Sequence, residues 1–171
     1  MKNKKLFNMC AAAMFTAIIF VLTRFVSVPV ASGYVHFGDA LVYIAASVLG
    51  GPWAFFAAAV GEALADIAYG MAYYAPATLI VKALIAAPFV ITFKKSDKIL
   101  TPVTAIMTVI SGLITVGGYY ISDLIIDKTY AIVNIPGNII QAVGSAVIFI
   151  VLGAAFDAVG LKKKLFKKRE V

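Results

Sequence analysis

The basic residues of this 171-residue chain fall into three short clusters that are separated by long apolar stretches. Twelve of the 15 Lys and Arg residues belong to these clusters. They are Lys2, Lys4 and Lys5; Lys94, Lys95 and Lys98; and Lys162 to Lys164 with Lys167, Lys168 and Arg169. Because cytoplasmic loops of membrane proteins are enriched in Lys and Arg, this pattern predicts a polytopic membrane protein with all three clusters in the cytoplasm. Both termini then lie on the same side, which requires an even number of crossings.

The composition supports a bilayer rather than water as the solvent of this chain. Apolar residues make up 63% of the sequence and charged residues 13%, whereas a soluble domain carries about 25% charged residues. The net charge of +7 marks membrane sidedness and does not call for a nucleic-acid partner. The single cysteine, Cys10, excludes an internal disulfide and a cysteine-based metal cage.

We therefore predict an all-α integral membrane protein, with residues 1–171 forming one membrane-embedded domain of six transmembrane helices. The predicted helices cover about 8–28, 37–49, 53–69, 77–93, 102–126 and 136–159. Four of them have a proline in the first turn, where no intrahelical hydrogen bond is lost: Pro52, Pro76, Pro102 and Pro136. Helix 2 is short for a crossing, and we retain it as a span because both termini carry basic clusters.

Ionisable and amide side chains concentrate at the outer ends of these predicted helices. Glu62 and Asp66 are four residues apart and share a helix face, and Lys82 lies at an intermediate depth on the next helix. The others near this level are Arg24, Asp39, Asp123, Asn134, Asn138 and Gln141. The inner halves are nearly free of such groups, so the sequence predicts a polar pocket that opens outside and is closed beneath by apolar packing. A channel would need polar lining along its whole length, and a carrier usually binds at the midplane.

Each of these residues also has a structural interpretation. Glu62, Asp66 and Lys82 could form a buried ion-pair network between helices 3 and 4, and Arg24 could extend to the outer interface. The outer tyrosines, among them Tyr34 and Tyr74, could form an interfacial belt or stack on a ligand. His36, the only histidine, has no second ligand nearby in sequence, so we predict no metal site.

Two segments of the chain resemble the substrate-binding S component of energy-coupling-factor (ECF) vitamin transporters. The first runs from Tyr34 to Leu41 and leads to the sequence GGPW at 50–53; the second joins EALAD at 62–66 to YAPATLIVK at 74–82. Both are similar to the riboflavin-type branch, which includes proteins linked to pyridoxine and thiamine precursors. Size, the six predicted spans and an alanine stripe in helix 1 extend the resemblance over nearly the whole chain.

The resemblance implies a multi-pass protein of the bacterial plasma membrane that binds a small vitamin-like compound with high affinity on the outer face. It implies a transmembrane coupling subunit and two cytosolic ATPases as partners, and this chain itself has no phosphate-binding loop. Ala13 and Ala17 match the positions that contact the coupling subunit in the family, although small residues at this spacing also pack within one chain. We expect no cofactor and no catalytic residues.

An aromatic, partly polar ligand such as pyridoxine, a thiamine precursor or riboflavin would suit these side chains. The candidate substrate-binding residues are Glu62, Asp66, Lys82, Asp39, Asn138, Gln141, Tyr74, Tyr34 and Arg24. Two alternatives remain at this stage. The chain could be a self-sufficient small carrier or channel, or an intramembrane enzyme in which Glu62 or Asp66 acts as acid or base on a lipid.

Overall fold

The computed structural model describes residues 2–30, 33–93 and 96–170, with side chains described for residues 5–30, 33–93 and 96–165. Eight helices and one hairpin are present in this part of the chain. They are α1 (Lys2–Phe25), β1 (Ser27–Val30), β2 (Gly33–His36), α2 (Asp39–Leu49), α3 (Gly51–Tyr69), α4 (Ala75–Thr92), α5 (Pro102–Ile126), α6 (Lys128–Val133), α7 (Ile135–Ala158) and α8 (Leu161–Glu170). The fold is an all-α membrane protein with a small antiparallel hairpin, in which Ser27 pairs with His36 and Val30 with Gly33.

Within the described residues, four helices are long and apolar enough to cross a membrane: α1 from Lys5 onward, α4, α5 and α7. Their outer faces carry exposed apolar side chains such as Ile80, Leu113 and Val143, which suits contact with lipid because aliphatic side chains lose no favourable solvation there. The predicted prolines lie in the first turns of α3, α4, α5 and α7. These positions confirm the interpretation of proline as a helix-start signal.

The helix α2 is central rather than peripheral, and all eleven of its residues are buried. Its first residue, Asp39, pairs with Lys82 near the middle of α4. At its other end Gly50 has φ 63°, and a Cβ at Gly50 would lie 2.5 Å from the ring of Phe93, which caps α4. Because α2 begins halfway along the bundle, eleven residues are enough to reach the end where α4 terminates.

The core packs around α2. In sequence order, α1 lies against α3, α3 against α4, α4 against α5 and α5 against α7. Tyr43 of α2 stacks on Phe89 of α4 with ring centroids 4.6 Å apart, and both rings meet the edge of Phe149 from α7. This aromatic cluster closes the half of the bundle that contains the basic chain segments.

Several element boundaries differ from the sequence prediction. The first helix ends at Phe25 rather than near 28, because Ser27–Val30 pairs with β2 in the hairpin. The predicted outer loop before helix 6 contains α6, whose first turn is capped by the side chain of Asp127. The C-terminal basic segment forms α8, a helix that the sequence analysis did not predict. Of the basic clusters, Lys94 and Lys95 lie outside the described residues.

Candidate substrate site

A cavity lies at the end of the bundle where the hairpin meets the helix ends. It contains about 530 Å³ of atom-free space, part of which is open to solvent. Aromatic and polar side chains from the hairpin, α3, α5, α7 and the connecting segments dominate its wall. The lining residues are Val30, Gly33, Tyr34, Val35, His36, Asp66, Met71, Tyr74, Tyr119, Asp123, Asn134, Gly137, Asn138 and Gln141. A concave site with a few converging polar groups is the usual form of a small-molecule pocket.

A fully buried ion pair lies beneath this cavity. The ammonium group of Lys82 lies 2.5 Å from Oδ1 of Asp39, and both side chains are fully buried. The amide of Gln141 donates to the other carboxylate oxygen at 3.0 Å. Charges removed from water require such partners, because an isolated buried ion is very costly. The pair therefore fixes α2 against α4, and Gln141 connects it to α7 and to the cavity wall.

His36 and Glu62 form a second buried contact beside the ion pair. Nδ1 of His36 accepts a hydrogen bond from the amide of Gly38 at 3.2 Å, and Nε2 lies 3.4 Å from Oε2 of Glu62. This arrangement assigns the proton of a neutral imidazole to Nε2, facing the carboxylate. The contact therefore joins the hairpin to α3 through Glu62.

Gly38 explains how this contact is packed. Its backbone is helical, with φ −57°, so a side chain would meet no conformational strain. A Cβ would nevertheless lie 2.0 Å from Oγ1 of Thr23 and 2.6 Å from Oε1 of Glu62. Only a glycine lets the hairpin, α1 and α3 converge at this point.

Two tyrosine–carboxylate hydrogen bonds define the upper wall of the cavity. Tyr34 donates to Asp66 and Tyr74 donates to Asp123, each at 2.5 Å. Asp123 also accepts from the side-chain amide of Asn134 at 2.9 Å. The first bond connects the hairpin to α3. The other two connect α5 to the residue before α4 and to the residue before α7. Together they hold the polar groups in fixed positions.

The nine residues predicted to bind substrate occupy three different environments. Tyr34, Asp66, Tyr74, Asn138 and Gln141 line the cavity. Asp39, Glu62 and Lys82 lie beneath it and are almost completely buried. Arg24 does not line the cavity; its Nε donates to the carbonyl of Ala68 at 3.2 Å, and its guanidinium lies 5.0 Å from the ring centre of Tyr69. Direct contact of any of them with a ligand stays a prediction.

The ion-pair network predicted among Glu62, Asp66 and Lys82 has a different acceptor in the structure. Lys82 bonds to Asp39 of α2 rather than to Glu62 or Asp66 of α3, so the pair connects α2 to α4. Sequence spacing could not distinguish these acceptors, since all three carboxylates were predicted at similar depths.

Other lining side chains were absent from the predicted set. They are His36, Met71, Tyr119, Asp123 and Asn134, together with small and apolar residues of the hairpin and α7. The sequence analysis places Asp123 and Asn134 at the outer level, and only that shared depth could have suggested their participation. The hairpin left no clear signal, because its contribution depends on folding back towards α7.

His36, Asp39 and Glu62 also come together as a possible metal-ligand set, with one ligand atom of each within 4.8 Å of the others. The sequence analysis found no second ligand for His36 nearby in the chain, and the fold places the carboxylates of Asp39 and Glu62 beside it. The donor set fits a metal poorly, since the ammonium group of Lys82 already provides Asp39 with a cation.

Comparison with known proteins agrees with this architecture. Residues 3–158 match the family model described as ECF-type riboflavin transporter, S component. Comparison with curated proteins gave no match. S components are the membrane-embedded substrate-binding subunits of vitamin transporters; they work with a transmembrane coupling subunit and ATPase subunits, and they are not enzymes. Because the match covers most of the chain, this protein belongs to the ECF-type riboflavin transporter S component family.

Proposed function

We propose that the cavity beside the hairpin is the vitamin site of this S component and that it opens to the outside of a bacterial cell. The observation that carries this proposal is the polar cavity, lined by Tyr34, Tyr74 and Tyr119, above a fully buried ion pair. Tyrosine rings can stack on a flat heterocycle, while their hydroxyl groups stay hydrogen-bonded. The aromatic cluster beneath the ion pair separates this cavity from the basic end of the bundle.

The charge of the cavity wall restricts the ligand. Asp66 and Asp123 line it, whereas no Lys or Arg is among the described lining residues, and Ala31 and Ser32 between the two strands are uncharged. A negative group about 8 Å from one carboxylate would be disfavoured by roughly 2 kcal/mol at an effective dielectric constant near 20. We therefore propose a neutral or cationic ring compound such as riboflavin, pyridoxine or a thiamine precursor, and not its phosphorylated form.

The membrane topology that supports this orientation has six crossings. Four helices qualify as spans by themselves. We assign the remaining two crossings to α3 and to β2 followed by α2. The carboxylates of Glu62 and Asp66 lower the mean hydropathy of α3, but both are buried inside the bundle. β2 and α2 together run from the cavity wall to the level of Phe93. Both termini and the basic clusters then lie in the cytoplasm, and residues 1–171 form one domain.

We propose that α1 docks onto the transmembrane coupling subunit, which two cytosolic ATPases would drive. Ala13 and Ala17 are exposed on α1, whereas Ala12, the residue before Ala13, is buried. A small-residue face lets a partner helix approach closely. Ala13→Trp should therefore abolish transport by the assembled complex and preserve vitamin binding by the isolated chain. Transport at the unsubstituted rate would contradict this assignment.

The direct test is identification and titration of the ligand. Small molecules released from the purified, denatured protein would be identified by mass spectrometry, and their affinities measured by equilibrium dialysis. We expect a stoichiometric, unphosphorylated heterocycle and at least tenfold weaker binding of its phosphate ester. A tightly bound phosphate ester would contradict the charge argument, and solute flux by this chain alone in liposomes would favour a stand-alone carrier.

A charge-neutral variant tests which residue selects against anions. Asp123→Asn should reduce the discrimination between the vitamin and its phosphate ester, because it removes one carboxylate from the wall. Asp127→Asn is the matched control, since Asp127 lies outside the cavity and caps α6. Equal effects of both substitutions would show that the charge of the whole surface, and not the cavity wall, determines selectivity.

A further inference from the structure

A second cavity lies at the opposite end of the bundle, where α2 and α4 end and α5 begins. It contains about 430 Å³ of atom-free space, and α8 closes one side through Lys162. The carboxylate of Asp157 accepts hydrogen bonds from the amides of Ile99 and Leu100, at 2.7 and 2.9 Å, and holds the segment that precedes α5 in place. This second cavity is separate from the proposed vitamin site, and it has a different chemistry.

The second cavity is basic and rich in hydroxyl groups. Two lysines, Lys98 and Lys162, and five Ser or Thr side chains line it, and no Asp or Glu occurs among the described lining residues. Lys162 is only 3% exposed. Its ammonium group donates to the carbonyl of Phe93 at 2.8 Å and lies 5.0 Å from the centre of that ring. The hydroxyl groups of Thr92 and Thr104 already donate to backbone carbonyls, so Lys98, Lys162 and Ser47 are the groups that carry the argument. A buried positive charge matches an anion with several acceptor oxygens.

Ser47 provides an independent indication of a ligand. Its side chain is 2% exposed and lines the cavity, and its hydroxyl oxygen has no hydrogen-bond partner among the described residues. Buried hydroxyl groups are normally satisfied by protein or by a bound molecule, because an unmade hydrogen bond costs free energy. The first turn of the 25-residue helix α5, which begins at Pro102, also borders the cavity. Its amide groups are largely used, since Thr101 accepts from the amide of Thr104, but the helix dipole at that end favours a negative group.

The surroundings of the cavity indicate a lipid as the source of the anion. Val103 lines the cavity and is itself 44% exposed. Ile106 and Ile110 continue the same exposed face along α5. A phosphate group in the cavity would thus place attached acyl chains on an apolar helix face that already contacts the bilayer. Basic pockets between membrane helices are known to hold lipid head groups in this way.

We propose that the cavity bordered by Ser47, Lys98 and Lys162 binds the phosphate group of an anionic phospholipid. The lipid joins the ends of α2 and α4 to the start of α5 and to α8. Its binding therefore stabilises this end of the bundle without any contribution from the vitamin site.

Thermal unfolding and native mass spectrometry of the full chain in detergent test this proposal. The probes are phosphatidylglycerol, phosphatidylcholine and inorganic phosphate. We expect phosphatidylglycerol alone to raise the melting temperature and to remain bound in the mass spectrum. Ser47→Ala should weaken its binding several-fold. Lys98→Gln should weaken it roughly tenfold, since hydrogen bonds to charged groups are the stronger class. Lys163→Gln is the matched control, because Lys163 is exposed and does not line the cavity.

Three results would overturn the proposal. Equal stabilisation by phosphatidylglycerol and phosphatidylcholine would remove the anion from the explanation. Equal losses in Lys98→Gln and Lys163→Gln would assign the effect to general surface charge. Saturation of the effect by inorganic phosphate alone would identify a free anion and not a lipid as the ligand. Lys98 and Ser47 are substituted in this test, and Lys162 is not. The ammonium group of Lys162 donates to the carbonyl of Phe93 at the end of α4, so its replacement would also destabilise the fold.

Discussion

The buried pair between Lys82 and Asp39 should behave as a structural unit whose two halves cannot be removed separately. Both side chains are fully buried, the ammonium and carboxylate are 2.5 Å apart, and Gln141 satisfies the second carboxylate oxygen. Lys82→Met keeps an unbranched side chain of similar length but leaves the carboxylate without its cation. Asp39→Asn leaves the ammonium group without its anion. Each single substitution therefore creates an uncompensated buried charge, whereas the double substitution creates none.

The burial of both side chains determines how much stability each single substitution should cost. Removal of one member of a buried ion pair costs about 3–5 kcal/mol, whereas replacement of both members is often neutral. For a chain of this size, 1 kcal/mol corresponds to roughly 2–4 °C in melting temperature. Each single variant should therefore melt at least ~6 °C below the parent protein. The double variant should recover most of that loss. The coupling energy then approaches the sum of the two single losses, about 6–10 kcal/mol.

Thermal unfolding of the four proteins in one detergent, without vitamin, gives this double-substitution cycle. Binding of the vitamin is then measured at a temperature where all four are folded. Additive effects of the two substitutions would refute the paired arrangement. Single variants with the parent melting temperature but lost vitamin binding would instead show that Lys82 and Asp39 contact the ligand directly.

A further prediction concerns the packing around the neighbouring contact between His36 and Glu62. Gly38→Ala should lower stability by about 1–3 kcal/mol, because its Cβ would overlap Thr23 and Glu62; Gly117→Ala, where a Cβ meets nothing within 4 Å, is the control and should leave the melting temperature unchanged or raised. Similar losses in both glycine variants would contradict the packing argument.

The sequence alone determined the class of the protein and much of its layout. Long apolar stretches fix the choice of a bilayer, since ~20 residues of helix satisfy their own backbone hydrogen bonds across it. Proline in the first helical turn located the starts of α3, α4, α5 and α7 closely. The gathering of polar side chains at one end was also predictable, because helix rise converts residue number into depth.

Tertiary structure decided which polar groups meet and which of them face the cavity. Depth along a helix leaves rotation about its axis and the choice of neighbour undetermined, so Lys82 could have met any of three carboxylates at its level. The central position of α2 places Asp39 against Lys82. Backbone pairing in the hairpin brings Tyr34 to Asp66, a contact between residues 32 positions apart. Hydrogen-bond geometry is satisfied only in the assembled bundle. Residue spacing therefore predicted that these polar groups share a depth, but not which of them form hydrogen bonds with one another.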